Sequence, residues 1–158
     1  MKSLASITIV ILFSGCIFTP PPTASVNVED EYLFDNSLLQ VAKEQVGISY
    51  RYGGVTPSEG FDCSGFVSYV YKKGAGVKLP RTSRAQSGYG RAVLKSDLVG
   101  GDLLFFDTSH KGHINHSGIY IGAGKFIHAS SGKAHSVTIS NLNSGFYKRS
   151  FRWARRVN

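Results

Sequence analysis

The chain has 158 residues, 42% of them hydrophobic and 18% charged, with 18 glycines and 5 prolines. That suits one globular domain with some extra length, and no internal repeat points to a solenoid or an array. The net charge of +8 allows a nucleic-acid partner on charge alone, but the basic residues are dispersed, with one concentration at Lys148, Arg149, Arg152, Arg155 and Arg156. There Arg152, Ala154 and Arg156 alternate like the solvent face of a strand, so no nucleic acid is expected, and an anionic polymer or lipid surface is the more economical counterpart.

The extra length lies at the start. Lys2 is a minimal basic region, residues 4–13 form an apolar run, and Ser14-Gly15-Cys16 closes it with small residues before a cysteine. A run of about ten apolar-rich residues is too short to span a bilayer and reads as a secretory signal. The stretch Leu12-Phe13-Ser14-Gly15-Cys16 resembles a bacterial lipobox, with Phe13 where that pattern usually has Leu. The resemblance implies a signal peptide at 1–15 and a lipid on Cys16 that holds the protein to a membrane. Ile17, where an Asp would retain the protein at the inner membrane, implies an outer membrane and the periplasm. Residues 16–35, with Pro20-Pro21-Pro22 and the acidic Glu29, Asp30 and Glu31, read as an extended tether reaching on the order of 60 Å. The domain proper is 36–158.

Residues 37–46 predict a first helix, with Ser37-x-x-Gln40 as a capping box, a buried stripe of Leu38, Val41, Ala42 and Val46, and Gly47 as its stop. Residues 48–54 form a short extended piece that runs into a turn. A second helix starts at Cys63 behind Asp62 as N-cap, buries Phe66, Val67, Val70 and Tyr71, carries Lys72 and Lys73 at its negative end, and stops at Gly74. After the break at Leu79-Pro80-Arg81-Thr82, Ser83-x-x-Gln86 starts a short third helix. Beyond Gly100-Gly101 the pattern changes to strands. Residues 103–106 read as a strand buried on both faces, 117–121 and 125–129 as a hairpin around Gly122-Ala123-Gly124, and 136–140 and 151–157 as two more. Helices first and antiparallel strands after make the fold class α+β.

If Cys16 carries lipid, Cys63 has no disulfide partner in an oxidising compartment, which marks it as a reactive thiol rather than core filler. On the first turn of a helix it faces unsatisfied N–H groups and the positive end of the dipole, so a lowered pKa is expected. A cysteine nucleophile needs an imidazole, and the imidazole needs a third group to fix its tautomer. Of the five histidines, His135 reads as a loop residue, and His110 and His113 as exposed members of the loop at 109–115. A zinc site from His110, His113, His116 and Cys63 is a distant second, because no regular element aims the first two. His116 and His128 lie in the two hairpin strands. A three-residue loop at 122–124 sets Ile121 opposite Lys125 and makes His128 the diagonal neighbour of His116 on one face, roughly 7–8 Å away at the backbone. A two-residue loop puts them on opposite faces unless a bulge corrects it. The spacing permits a His–His pair without requiring one.

The ordered motifs Tyr50-Arg51-Tyr52-Gly53-Gly54, Phe61-Asp62-Cys63-Ser64-Gly65-Phe66, Leu79-Pro80-Arg81-Thr82, Gly101-Asp102-Leu103-Leu104-Phe105-Phe106, His116-Ser117-Gly118-Ile119-Tyr120-Ile121-Gly122 and Phe126-Ile127-His128-Ala129-Ser130 resemble the NlpC/P60 family over about residues 37–157. These are papain-like cysteine peptidases of bacterial cell-wall peptides, and the lipobox adds a likeness to the family's Gram-negative lipoproteins. The resemblance implies Cys63 as nucleophile, His116 as general base and His128 as the polar residue that orients it. It further implies Tyr50 at the oxyanion, and Asp62 and Ser64 as substrate-facing positions beside the nucleophile. Ser117 stands where the family usually has Val, and the loop at 108–115 is long and His-containing. The implied activity is hydrolysis of an amide in peptidoglycan stem peptides, at the bond between D-glutamate and a diamino acid, by a monomer that needs no metal or other cofactor. The alternatives are a wall amidase or acyltransferase with the same Cys/His site, or a lipoprotein that only binds the wall.

Overall fold

The computed structural model describes residues 37–157; the expected signal peptide, the lipobox cysteine Cys16 and the tether to residue 35 lie outside them. A helix at residues 37–44 (α1) leads to a two-strand ribbon, β1 (Val55–Thr56) and β2 (Gly60–Phe61), and then to helices α2 (Cys63–Ala75) and α3 (Ser83–Gln86). The strands β3 (Arg91–Val93), β4 (Leu103–Phe106), β5 (His116–Gly122), β6 (Lys125–Ala129), β7 (Val137–Asn141) and β8 (Phe151–Arg156) build a six-stranded antiparallel sheet in the order β3-β8-β4-β5-β6-β7. A short helix, α4 (Gly145–Ser150), precedes β8. The fold is α+β, as expected.

Strand alternation divides the interior into two cores. Leu103 and Phe105 of β4, Ile119 of β5 and Ile127 of β6 face α1 and α2, where they meet Leu38, Ala42, Phe66, Val67 and Val70. Leu104, Phe106, Phe126 and Ala154 face the other way, packed by Tyr147 of α4 and by Phe151. Strand β4 is therefore buried on both sides, and each of its large side chains contributes roughly 1.5–3 kcal/mol of burial.

Several sequence expectations shift. Ser37 is already helical, and Gln40 Nε2 donates to Glu44 Oε1 at 3.1 Å, so that pair makes no capping box. The helix ends at residue 44, which turns Val46 out to solvent (46% exposed) and buries Gln45, whose Nε2 bonds the Val41 carbonyl at 3.1 Å. Helix α2 runs past Gly74 and is capped by Gly76 in the left-handed region (φ 68°). Gly74 serves instead as a close approach, since a Cβ there would lie 2.6 Å from Leu38 Cα. Thr82, not Ser83, caps α3, its Oγ1 accepting from Ala85 N at 3.3 Å.

Arg152, Ala154 and Arg156 do not form a solvent face. Ala154 is fully buried in the second core, and Arg156 is paired with Asp102 at 2.7 Å. Arg152 sits at a register shift between β4 and β8, its guanidinium 3.5 Å from Asp107.

The hairpin follows the bulged alternative. Ile119 pairs with Ile127 and Tyr120 with Phe126, but Gly122 pairs with Lys125, so the loop is the two residues Ala123 and Gly124, both at positive φ. Ile121 is the extra residue, and it restores the register that puts His116 and His128 on one face.

Candidate active site

Cys63 opens α2 because Asp62, extended at φ −87° and ψ 175°, caps it: Asp62 Oδ1 accepts from Gly65 N at 2.7 Å. Gly65 has to be glycine here, since a Cβ would run into the carbonyl of Gly54. Asp62 Oδ2 also accepts from Gly53 N at 3.0 Å, and Arg81 donates to both carboxylate oxygens, at 3.0 and 2.6 Å. Burial pushes the Asp62 carboxyl up, but the Arg81 pairing and the two backbone N–H groups outweigh it and hold the group below its ordinary value.

That carboxylate changes the expectation for the thiol. Cys63 is shifted up, first by burial and then by the charge on Asp62, against the opposing pull of the N–H groups of Ser117 and Ser64 and the hydroxyl of Ser83. The predicted lowering fails because the cap occupies the positive end of the helix and the thiol is largely withdrawn from water. Its hydrogen bond runs to the Asn115 carbonyl at 3.9 Å, not to an imidazole. The sulfur thus lies against the backbone on either side of His116, touching Asn115 and Ser117.

His116 and His128 are brought together. His116 Nε2 lies 2.9 Å from His128 Nδ1, with the rings nearly perpendicular at 89° and 4.9 Å between centroids. Both belong to the second core, where Phe106 flanks His116 and Phe126 flanks His128 at 4.8 Å. Burial lowers the His116 imidazole to about 4, and burial together with a charged His116 lowers that of His128. The resting pair is neutral at pH 7. Because Nε2 of His116 is taken up by His128, Nδ1 is the nitrogen left for a nucleophile. His128 Nε2 lies 2.9 Å from Ser140 Oγ.

The other expected residues are distributed around this centre. Tyr50 is held by its backbone N–H to the His135 carbonyl at 2.9 Å, with its ring 5.6 Å from that of His135. Its phenol is shifted up, first by burial and then by the negative charges of Cys63 and Asp62. Asp62 and Ser64 are buried, and Ser64 Oγ is held between Asp62 Oδ1 (3.3 Å) and Arg81 Nη1 (2.9 Å), so both sit under the site and are already bonded within the chain. His110 packs on Phe146 and His113 Nδ1 on the Lys111 carbonyl; among the described residues no group of three or more potential metal ligands forms.

Four residues that matter here were not singled out from the sequence. Arg81 enters the sequence reading only as part of a break, although it sits in one of the ordered motifs, and Gln86 only as part of a capping box outside them. Ser140 and Tyr147 lie in segments with no motif at all.

A family model described as the NlpC/P60 family matches residues 47–156, a span that holds Cys63, His116 and His128. The chain belongs to the NlpC/P60 family. It is 42% identical over 122 residues to the gamma-DL-glutamyl hydrolase of Bacillus subtilis (strain 168), covering 77% of this chain and 29% of that protein. To the murein DD-endopeptidase MepS/murein LD-carboxypeptidase of Escherichia coli (strain K12) it is 33% identical over 178 residues, covering 99% of this chain and 92% of that one. The crystal structure of an NlpC/P60 family protein from Bacillus cereus ATCC 10987 superposes with a TM-score of 0.71 at 39% identity, over 77% of this chain and 39% of that chain. This NlpC/P60 chain spans less than a third of the B. subtilis relative and nearly all of the E. coli one.

Proposed function

We propose that the domain is a cysteine peptidase that hydrolyses amide bonds in murein stem peptides through an acyl-enzyme on Cys63. The observation that carries this reading is the 2.9 Å His116–His128 pair, set where the Cys63 sulfur meets the backbone of Asn115 and Ser117. With the thiol shifted up and the imidazole shifted down, the resting pair is uncharged, and the proton moves when substrate arrives. His116 Nδ1 takes the thiol proton as sulfur bonds to the scissile carbonyl carbon. The oxyanion is met by the Cys63 N–H, unsatisfied on the first turn of α2, and by the Tyr50 hydroxyl. His116 then gives its proton to the departing amine as the C–N bond breaks. Water attacks the thioester, losing a proton to His116, and the thiolate leaves and is reprotonated. His128 orients His116 throughout and stabilises its charged form.

The D-glutamate–diamino acid bond is the proposed target. The activities for which the relatives are named differ in the bond cut, glutamyl in one and DD- or LD- in another, so product identity is the discriminating measurement. Purified wild type and Cys63→Ala are incubated with defined muropeptides and the products weighed by mass spectrometry. Cleavage by the wild type alone is expected, and it should persist in EDTA. Turnover by Cys63→Ala, or release of the peptide from the sugar, sinks the reading. The lipobox supports a lipid on Cys16 that anchors a monomer at the outer membrane; Cys16→Ala should free it from membranes without changing turnover.

A further inference from the structure

We propose that Ser140 and Tyr147 set the tautomer of the two histidines, which makes Tyr147 of α4 a positioning residue for the general base. This rests on the peptidase reading above.

The two histidines form the first part of a longer chain of polar groups. His128 Nε2 lies 2.9 Å from Ser140 Oγ, and Tyr147 is hydrogen-bonded to both Ser140 and Ser130. Ser130 Oγ in turn accepts from Gly132 N at 3.2 Å. Register explains why Ser140 is in reach: it pairs with Phe126, while His128 pairs with Thr138, so Ser140 is the diagonal neighbour of His128 across β6 and β7. Tyr147 does more than close the chain. Its ring stacks on His116 at 28° and 6.3 Å, meets His128 edge-on at 5.0 Å, and packs against Phe126 and Phe106 at 5.0 and 5.6 Å. One side chain therefore walls both imidazoles and hydrogen-bonds the hydroxyl that His128 meets.

The direction of the chain follows from a donor and acceptor count. When His116 holds the proton from the thiol, both of its nitrogens are donors, so His128 Nδ1 must accept. His128 is neutral in its buried site and carries one hydrogen, which must then be on Nε2. Ser140 Oγ must accept that hydrogen, and its own hydrogen is left for Tyr147 Oη, which passes its hydrogen to Ser130. The reverse polarity would have Ser140 donate to His128 Nε2. Before proton transfer it would put the His128 hydrogen on Nδ1 and leave Nε2 of His116 bare instead of Nδ1; after transfer the two facing nitrogens would both be donors. A Ser140 hydroxyl with a partner beyond it favours the productive polarity, because its hydrogen has somewhere to go other than the imidazole. Tyr147 supplies that partner.

The test uses the full domain labelled with 15N at histidine, read by long-range proton–nitrogen NMR, beside steady-state kinetics on one defined stem peptide. In the wild type His116 should carry its hydrogen on Nε2 with Nδ1 bare, and His128 on Nε2. Tyr147→Phe, which keeps the ring packing and removes only the hydroxyl, and Ser140→Ala should mix the tautomers. They should lower kcat roughly tenfold or more with KM changed by less than about twofold. Ser140→Thr, which keeps a hydroxyl, should retain the wild-type tautomers and most of the rate. Wild-type tautomers in both Tyr147→Phe and Ser140→Ala overturn the proposal, as does a wild-type His116 protonated on Nδ1. The NMR readout needs no substrate. Tautomers that mix as expected in a protein that cuts no peptide would count against the peptidase reading and leave this one standing.

Discussion

Ser117 donates a 3.2 Å hydrogen bond to the side-chain oxygen of Gln86, a residue with no exposed surface. The amide nitrogen of Gln86 reaches the Ser64 carbonyl, Ser68 Oγ and the Pro80 carbonyl, each at 3.0 Å. The residue after the proposed nucleophile and the residue after the proposed base are thus tied to the same buried amide. Gln86 fixes the separation of helix α2 from strand β5 without touching either reactive atom.

Replacing Gln86 by Leu removes that tie at similar volume and leaves the buried Ser117 hydroxyl without its acceptor. Each buried polar group left unpaired costs about 1–3 kcal/mol. Thermal melts should therefore drop by several degrees, and kcat on a stem peptide should fall with them. A Gln86→Leu protein that melts and turns over like the wild type would show that the amide does not hold the site.

On the polarity proposed above, His128 accepts from His116 at 2.9 Å and donates to Ser140 at 2.9 Å, and a glutamine side chain can do both. His128→Gln should keep measurable activity, while His128→Ala falls far lower. His116→Ala and His116→Gln should each lose about a hundredfold or more, since general acid–base transfer is worth roughly 10²–10⁴. Steady-state rates decide it: a His128→Gln enzyme as inactive as His116→Ala would mean that His128 transfers a proton or holds the fold.

Stability should form a plateau in pH. His116 titrates near 4 when folded and near 6.5 when unfolded, so the unfolded chain binds more protons between those values. Its contribution is complete above 6.5 and is lost as pH falls towards 4; His128 is shifted the same way. Cys63 is raised above 9.0, so its contribution is present below that value and lost as pH climbs past it. Melting temperatures measured from pH 4 to 10 should fall at both ends. Cys63→Ala should remove part of the alkaline fall, and His116→Gln part of the acid one; an alkaline limb unchanged by Cys63→Ala refutes the raised thiol.

Gly118 of β5 lies tight against β6. A Cβ there would come 2.8 Å from Phe126 Cδ2, 2.9 Å from the Ile127 carbonyl and 3.1 Å from His128 Cβ. Gly118→Ala should push β6 away from β5, at a cost of about 1–3 kcal/mol, and drag His128 out of reach of His116. Chemical denaturation and peptide turnover should both register it, and a variant with normal turnover would show that the pair tolerates the shift.

The proposed centre is legible in the sequence to a large degree. An aspartate cap before Cys63, two histidines at hairpin spacing and the run of ordered motifs single out Cys63, His116 and His128 as candidates, and the structure pairs the two histidines. What escaped depends on fit across the sheet. Whether the Gly122-Ala123-Gly124 turn takes two residues or three is decided by the bulge at Ile121, and both options suit the same letters. Helix α4 has six residues and no side-chain cap, too little for a periodic signal, so Tyr147 was invisible. Arg156 reads as a solvated charge in the sequence because its partner, Asp102, lies 54 residues away. The thiol departs from expectation first because it is buried, which the letters do not show, and then because the residue that caps the helix is itself a negative charge one position from the sulfur.

The Cys63 thiol arrives from the helical layer, while the imidazole pair belongs to the opposite face of the sheet, and the Cys63–Asn115 contact that joins them spans 52 residues of chain. Neither layer by itself holds a nucleophile next to a base. On the proposed function, an unfolded or half-folded chain is harmless to the cell that makes it: its sulfur is an ordinary thiol and its histidines ordinary imidazoles. On that reading the docking of helix α2 against strand β5 is itself the activation step, since it brings the thiol to the base.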